Sequence, residues 1–499
     1  MADRGSPIRH FAIRYSRAMD ELALKLADGT NILVPRSLDS LTTYVLLEQD
    51  CWFEKETAIL SWFAPGMVAI DIGANLGLYS LSIARRVGPQ GQVFAYEPGS
   101  EPRGFLQESR EANALRNLHI LPFALSNSRR EGRLAFSDTS EMHRLGDEGA
   151  GETVRITSLD EEDRAHAWPR IDFVKIDAEG EELRIVEGGR SFFARHSPLV
   201  MFEVKAGVEI DHAIPEAFRA INYRVFRLLN GMPLLVPVEP GETVNNYELN
   251  LFAAKPDRAA SLAAEGRLVE QETAWTPDDL ARAAALDLLR GQVFARAFES
   301  LFAKRYLDSV YLDALAGYAA WRTPRLTAAT RYGALQFSFR KLHELCRKAA
   351  TAARLSTLAR VAWEAGYTSV AVEAMDSIQQ MMQLGRLQLV EPFWPANARY
   401  DDIAPGEQNL DWFTASILEQ FERRSDYSAA YTGVSNRIAA LLRLPHTTAE
   451  IERRNILPRL KLGECLPVPE RLLRAAPDHI NAEAWREGLI PNTIVPARL

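Results

Sequence analysis

A few carboxylates, one lysine and two glycines sit at spacings that suit a site for a small charged ligand. Asp71 lies near the end of the apolar run Val68 to Ile72 and is followed by Gly73, Ala74, Asn75 and Gly77. Glycines in such a turn let the backbone come close to a ligand, because a side chain there would block it. A carboxylate beside them suits a ligand that carries an ammonium or hydroxyls. Glu97-Pro98 ends a second apolar run, 26 residues after Asp71 (97 − 71). An acid there is placed to accept hydrogen bonds from both hydroxyls of a ribose. Lys175 lies inside a third run, Phe173 to Ile176, ahead of Asp177 and Glu179. Lysine is rarely buried without a partner, and strand alternation puts Lys175 and Asp177 on the same side. Converging carboxylates and an amine can move a proton to or from a hydroxyl; a structural ion-pair network is the plainer account of the same residues.

The elements that must hold these residues follow a simple order. Strand, glycine turn and helix are the layout of a nucleotide-binding crossover. Gly73 and Gly77 do not make the Gly-x-Gly-x-x-Gly of a dinucleotide fingerprint, and no Gly-Lys-Ser/Thr of a P-loop follows. Strands are predicted at 68–72, 93–96, 119–122, 173–176 and 199–203, with helices near 76–87, 101–115 and 181–194. Alternating strand and helix imply a parallel sheet covered on both faces. Asn222 to Leu229 and Glu248 to Ala253, on either side of Asn230-Gly231, read as an antiparallel end pair. Ahead of the sheet, residues 1 to about 20 read as a basic arm. Asp28-Gly29 reads as a hairpin turn in a small β cap, and 42–63 as partly helical. Gly146 to Gly151 reads as a polar loop.

After about Pro256 alanine and leucine rise and strand patterns fade. The expected organisation is an α/β domain over 1–258 and an all-α domain over 259–499. Leu358 to Gly366 and Ala371 to Ile378 read as two amphipathic helices joined by a tight turn. Their spacing resembles one tetratricopeptide unit, without a second copy at a fixed period. The 499 residues carry a net charge of −8, which argues against nucleic acid as a partner. Three scattered cysteines fit a reducing cytoplasm. No apolar run reaches membrane-spanning length, so no membrane insertion is expected.

Ile70 to Gly77, Tyr96-Glu97-Pro98, Thr157 to Asp160, Asp172 to Gly180 and Met201-Phe202-Glu203 occur in that order. The set resembles the FkbM family of S-adenosylmethionine (SAM) dependent methyltransferases over about residues 40 to 255. The resemblance implies a class I methyltransferase fold, Rossmann-like and seven-stranded in the order 3-2-1-4-5-7-6. It implies SAM as cofactor and a hydroxyl of a sugar, glycan or related small molecule as methyl acceptor. By position, Asp71, Gly73, Ala74, Asn75 and Gly77 would surround the methionine and sugar part of SAM. Glu97, with Pro98, would take the ribose, and Phe123 and Ala124 would border the adenine. Lys175, Asp177 and Glu179 would face the transferring methyl.

Asp177 is the first candidate for general base, and Lys175, with a pKa depressed by burial, the second. A metal is not expected. Asp177 and Glu203 stand where some O-methyltransferases hold a divalent ion, but Val204 and Lys205 follow Glu203 in place of a further oxygen ligand. The helical half inherits nothing from the resemblance; acceptor binding, oligomerisation and docking to glycan-assembly enzymes are the roles open to it. The alternative for the whole chain is a methyltransferase-fold scaffold acting through that half.

Overall fold

The computed structural model describes residues 21–135, 144–146, 151–206, 209–303 and 307–495. The basic arm at 1–20 and residues 147–150 of the polar loop lie outside the described residues. The chain divides into two compact units. One takes Met1–Phe202, Ser428–Val434 and Thr448–Leu499, the other Glu203–Tyr427 and Ser435–Thr447. The division does not fall at residue 258.

The first unit opens with a hairpin of β1 (Glu21–Lys25) and β2 (Asn31–Pro35), paired antiparallel from Glu21↔Pro35 to Lys25↔Asn31. Leu22, Leu24, Ile32 and Val34 point inward, as strict alternation requires. The Asp28-Gly29 turn has Gly29 at φ 80, and the Thr30 N–H donates to Asp28 Oδ1 at 2.9 Å. Helix α1 (Leu41–Gln49) is capped by Ser40 and stops at Asp50, whose φ is 58.

Five parallel strands follow: β3 (Val68–Ile72), β4 (Gln92–Tyr96), β5 (Leu118–Leu121), β10 (Phe173–Ile176) and β11 (Leu199–Glu203). Their spatial order is β11-β10-β3-β4-β5. All four residues of β10 are buried, and four of five in β3. Burial on both faces is why these strands read as continuous apolar runs. Helices α2 (Leu78–Val87) and α3 (Ser100–Ala112) connect the first three strands.

The sequence pattern missed a second sheet. Strands β6 (Phe123–Leu125), β7 (Arg130–Ala135), β8 (Arg144–Gly146) and β9 (Gly151–Thr157) form it in the order β6-β9-β7-β8. Its core is small: Ala124, Leu134, Val154 and Ile156. A sheet with so few inward residues leaves little apolar signal in segments such as Arg130–Ala135. Next, α4 (Leu159–His166) begins with a capping box in which Ser158 and Glu161 satisfy each other's backbone N–H groups. The single helix expected at 181–194 is two, α5 (Glu182–Gly188) and α6 (Arg190–His196). They break at Gly189, where a Cβ would press on Phe193 at 2.9 Å and Leu159 at 3.0 Å.

In the second unit, β12 (Arg224–Leu228) pairs antiparallel with β14 (Asn250–Ala254), and β13 (Leu235–Pro237) pairs antiparallel with β12. The Asn230-Gly231 turn therefore leads into an unforeseen strand, β13, before the chain reaches β14. A short antiparallel pair, Lys205–Ala206 with Glu209–Ile210, also belongs to this unit, and most of its remaining described residues are helical. Helix α7 (Ser309–Trp321) packs on α8 (Ala328–Lys348), and α9 (Ala352–Glu364) on α10 (Thr368–Gln383). The tight turn between the last two carries Gly366 at φ 87.

The C-terminal segment belongs to the first unit. Its helix α11 (Ala449–Lys461) packs on α1. Arg453, 1 % exposed, donates from Nε to the Glu48 carbonyl at 2.6 Å and pairs with Asp50 at 2.9 Å. Asp50 also accepts from the backbone N–H groups of Ile480 and Asn481. Asn481 in turn bonds the backbone N–H and C=O of Lys25. Among the described residues, no helix is long and apolar enough to cross a membrane.

Candidate active site at the strand ends

The turn after β3 is tightly held. Gly73 and Ala74 both donate their N–H to the Tyr96 carbonyl, at 3.0 and 3.1 Å. Gly73 (φ 76), Asn75 (φ 48) and Gly77 (φ 93) all occupy the left-handed region, which only glycine adopts without strain. A Cβ on residue 73 would fall on the carbonyl oxygen of Asp177, and one on residue 77 would run into Leu106 of α3. Packing alone therefore requires glycine at both positions.

Glu97 is the rim of this turn. It is 7 % exposed. Its Oε2 accepts the Asn75 N–H at 2.8 Å, and its Oε1 accepts the Gly99 N–H at 2.7 Å. Burial pushes its pKa up to about 7, against those two bonds and the Arg103 guanidinium, which favour the ionised form. Arg103 also donates to the carbonyls of Glu97 and Pro98 at 3.0 and 2.6 Å. Glu97, Pro98, Asn75 and the glycine turn are thus one hydrogen-bonded patch.

The second patch surrounds Lys175. In the sheet register Lys175 of β10 lies beside Asp71 of β3. Its ammonium donates to Asp177 Oδ2 at 2.6 Å and lies over the Tyr79 ring, 5.2 Å from the centroid. Burial would lower the pKa of Lys175. The charges of Asp177, Asp71 and Glu54 overcome this, and it is raised above the usual lysine value. The expectation of a depressed, basic Lys175 is therefore corrected: three carboxylates keep it an ammonium. Asp71 is buried, and its Oδ2 accepts from Ser80 at 2.6 Å. Burial raises its pKa, opposed by Lys175 and Ser80. Its Oδ1 is buried without a hydrogen-bond partner, which marks unmet demand for a donor or cation.

Asp177 is half-buried, with a side chain 29 % exposed. Glu179 stands at φ 48 in the loop that follows, and its carboxylate approaches that of Asp177 to within 4.8 Å. The loop is shaped by Glu182, which sequence reading missed. Its two oxygens accept the N–H groups of Ala178 and Gly180 at 2.8 and 2.9 Å. Glu54, Tyr79 and Ser80 were also missed. Tyr79 and Ser80 lie on the first turn of α2 and carried no signal beyond helix. Glu54 lay within the stretch 42–63, which read only as partly helical.

Phe123 and Ala124 lie on β6 of the small sheet. Ala124 packs in the small sheet's core, and the ring of Phe123 is covered by the Arg155 guanidinium 4.5 Å from its centroid. Glu203 ends β11, and Asp177 is the first residue after β10. The side chain of Lys205 lies outside the described residues.

A family model described as the methyltransferase FkbM domain matches residues 71–227. The chain is 27% identical over 143 residues to the hexuronic acid methyltransferase AglP of Haloferax volcanii, which is 28% of this chain and 56% of that relative. Among solved structures it is similar to a methyltransferase FkbM from Methylobacillus flagellatus, with 15% identity over 38% of this chain and 44% of that one, at a TM-score of 0.27. It is also similar to a SAM dependent methyltransferase from Aquifex aeolicus, with 15% identity over 44% of this chain and 93% of that one, at a TM-score of 0.24. The turn after β3, Glu97 and the Lys175 cluster all fall inside the family match, and residues 71–227 of this chain are a methyltransferase domain of the FkbM type.

Proposed function

We propose that this chain transfers a methyl group from SAM to a hydroxyl of a hexuronic acid or a related sugar. The observation that carries the proposal is the pairing of two patches within one FkbM domain: the Glu97 turn and the acidic cluster around Lys175. SAM carries a ribose and two cationic groups, its ammonium and its sulfonium, and when bound it supplies the electrophilic methyl. Glu97 offers acceptors to the ribose hydroxyls. The carboxylates around Lys175 outnumber its one positive charge, and the orphaned Asp71 Oδ1 adds to that demand for a cation.

Asp177, held on one oxygen by Lys175, accepts the proton of the attacking hydroxyl. Glu179 contacts the sugar beside it. Alignment of the hydroxyl with the methyl supplies most of the rate, and the base adds to it. Lys175 acts as an ammonium that orients Asp177. No metal is assigned: an ammonium 2.6 Å from Asp177 Oδ2 would repel a divalent ion bound there. Chelation by EDTA should leave the rate unchanged.

SAM binding by calorimetry, followed by a mass screen of free and nucleotide-linked hexuronic acids, tests this function. SAM binding with a SAM-dependent mass gain on one of them supports it. A chain that binds no SAM would leave the scaffold reading.

A further inference from the structure

A line of contacts enters the cluster from outside the 71–227 match. Glu54 lies in the short segment between α1 and the 3-10 helix Lys55–Trp62. Its Oε2 accepts a hydrogen bond from the Tyr79 hydroxyl at 2.6 Å. Tyr79 is 4 % exposed and turns its ring face to the Lys175 ammonium, 5.2 Å from the centroid. The ammonium in turn donates to Asp177 Oδ2 at 2.6 Å. Each link restrains the next. A phenol tied by its hydroxyl cannot swing away, its π face attracts the cation, and a cation held there fixes one carboxylate oxygen.

We propose that Glu54 is a positioning residue for proton transfer, acting through Tyr79 and Lys175 on Asp177. The proposal rests on the reading of Asp177 as the proton acceptor. Packing alone does not call for Glu54. A hydrogen-bonded polar pair can be replaced by apolar side chains of the same shape at little or no cost in stability. An acid and a phenol add what a hydrocarbon pair lacks, a directional restraint on the ring beneath Lys175. Burial raises the pKa of Glu54, with the Lys175 ammonium opposing the rise. The acid is thus close enough to feel the same cluster.

Three variants separate positioning from charge. Glu54→Gln keeps an acceptor for the Tyr79 hydroxyl, Glu54→Ala removes it, and Tyr79→Phe removes the donor while keeping the ring. The readout is the side-chain ammonium signal of Lys175 in the full-length chain labelled with 15N-lysine, assigned with Lys175→Met and needing no acceptor. A held ammonium exchanges its hydrogens slowly. Wild type and Glu54→Gln should share that slow exchange, whereas Glu54→Ala and Tyr79→Phe should speed it at least about tenfold. With an acceptor that turns over, the same two variants should lose about tenfold or more in kcat at an unchanged SAM Kd, as expected when a general base is misaligned.

Wild-type exchange in all three variants would overturn the proposal. So would a Glu54→Gln variant that behaves like Glu54→Ala, since the charge of Glu54 would then be what matters. Calorimetry of the wild-type chain with SAM reports on the methyltransferase reading separately, so the two failures are distinguishable.

Discussion

Gly73 and Asp177 meet backbone to backbone: the space a Cβ would fill on residue 73 is taken by the Asp177 carbonyl oxygen. The next contact reinforces the first, because the Asp177 N–H donates to the Ile72 carbonyl at 3.1 Å. The turn proposed to receive the cofactor and the strand end proposed to receive the proton are thereby built as one piece. A shift in either moves the other.

Gly73→Ala should damage both halves of the site at once. The left-handed backbone of residue 73 alone disfavours alanine by about 1 kcal/mol or more, and the clash adds to this. We expect a lower Tm and SAM binding weakened at least about tenfold, or 1.4 kcal/mol, read by thermal unfolding and calorimetry. A variant with wild-type values in both would break the proposed link between turn and strand end.

SAM affinity should depend on pH through Glu97, whose pKa burial pushes up to about 7. Ribose hydroxyls donate to the ionised carboxylate, so binding favours the ionised form and must lower that pKa. Affinity is then full above pH 7 and is lost as the pH falls, by up to about tenfold per pH unit. Glu97→Ala should bind weakly at every pH and lose this slope. Calorimetry from pH 8 to pH 6 checks the prediction, and a flat wild-type profile would count against the ribose role.

Lys175→Met should be costly because it leaves Asp71, Asp177 and Glu54 without their shared cation. Removing one partner of a buried ion pair costs about 3–5 kcal/mol, which denaturant unfolding would show. Adding Asp71→Asn removes one of the stranded charges, so the double variant should recover part of the loss. Strictly additive effects would mean that Asp71 and Lys175, neighbours in register, do not interact.

Most of the parallel strands were legible because they are buried on both faces and read as largely apolar runs; the edge strand β5 is only partly buried. The polar site residues were legible where they interrupt such runs, as Lys175 does in β10. Glu54, Ser80 and Glu182 were not, because a carboxylate or hydroxyl in a loop or first helical turn looks the same whether it faces water or a buried ammonium. The protonation state of Lys175 was misjudged for a related reason. Burial can be guessed from one strand, but two of the three opposing charges, Asp71 and Glu54, come from other segments. The small sheet escaped notice because its core is only a few residues, Ala124, Leu134, Val154 and Ile156. The composition change near residue 258 gave no sign that Arg453 and Asn481 lie beside α1.

Arg453→Ala should destabilise the first unit, since Asp50 would lose its buried counter-charge, again by about 3–5 kcal/mol. The measurement is the unfolding midpoint of the full chain. Truncation after residue 258 should do worse, because it removes Arg453 and Asn481 together. We expect an unfolded or aggregating product from it, checked by circular dichroism and gel filtration. A compact, stable 1–258 fragment would show that this contact is dispensable.

The embrace of α1 by the C-terminal segment also sets a timetable for synthesis. Asn481 emerges from the ribosome 278 residues after Glu203 (481 − 203). At roughly 5–20 residues per second that interval is roughly 14–56 s. Through that time the five parallel strands are already translated, while the Glu48 carbonyl and the Asp50 carboxylate wait for Arg453 and Asn481. The first domain to be made is therefore the last to be finished, and a nascent chain that stalls early never acquires the support behind α1 and Asp50.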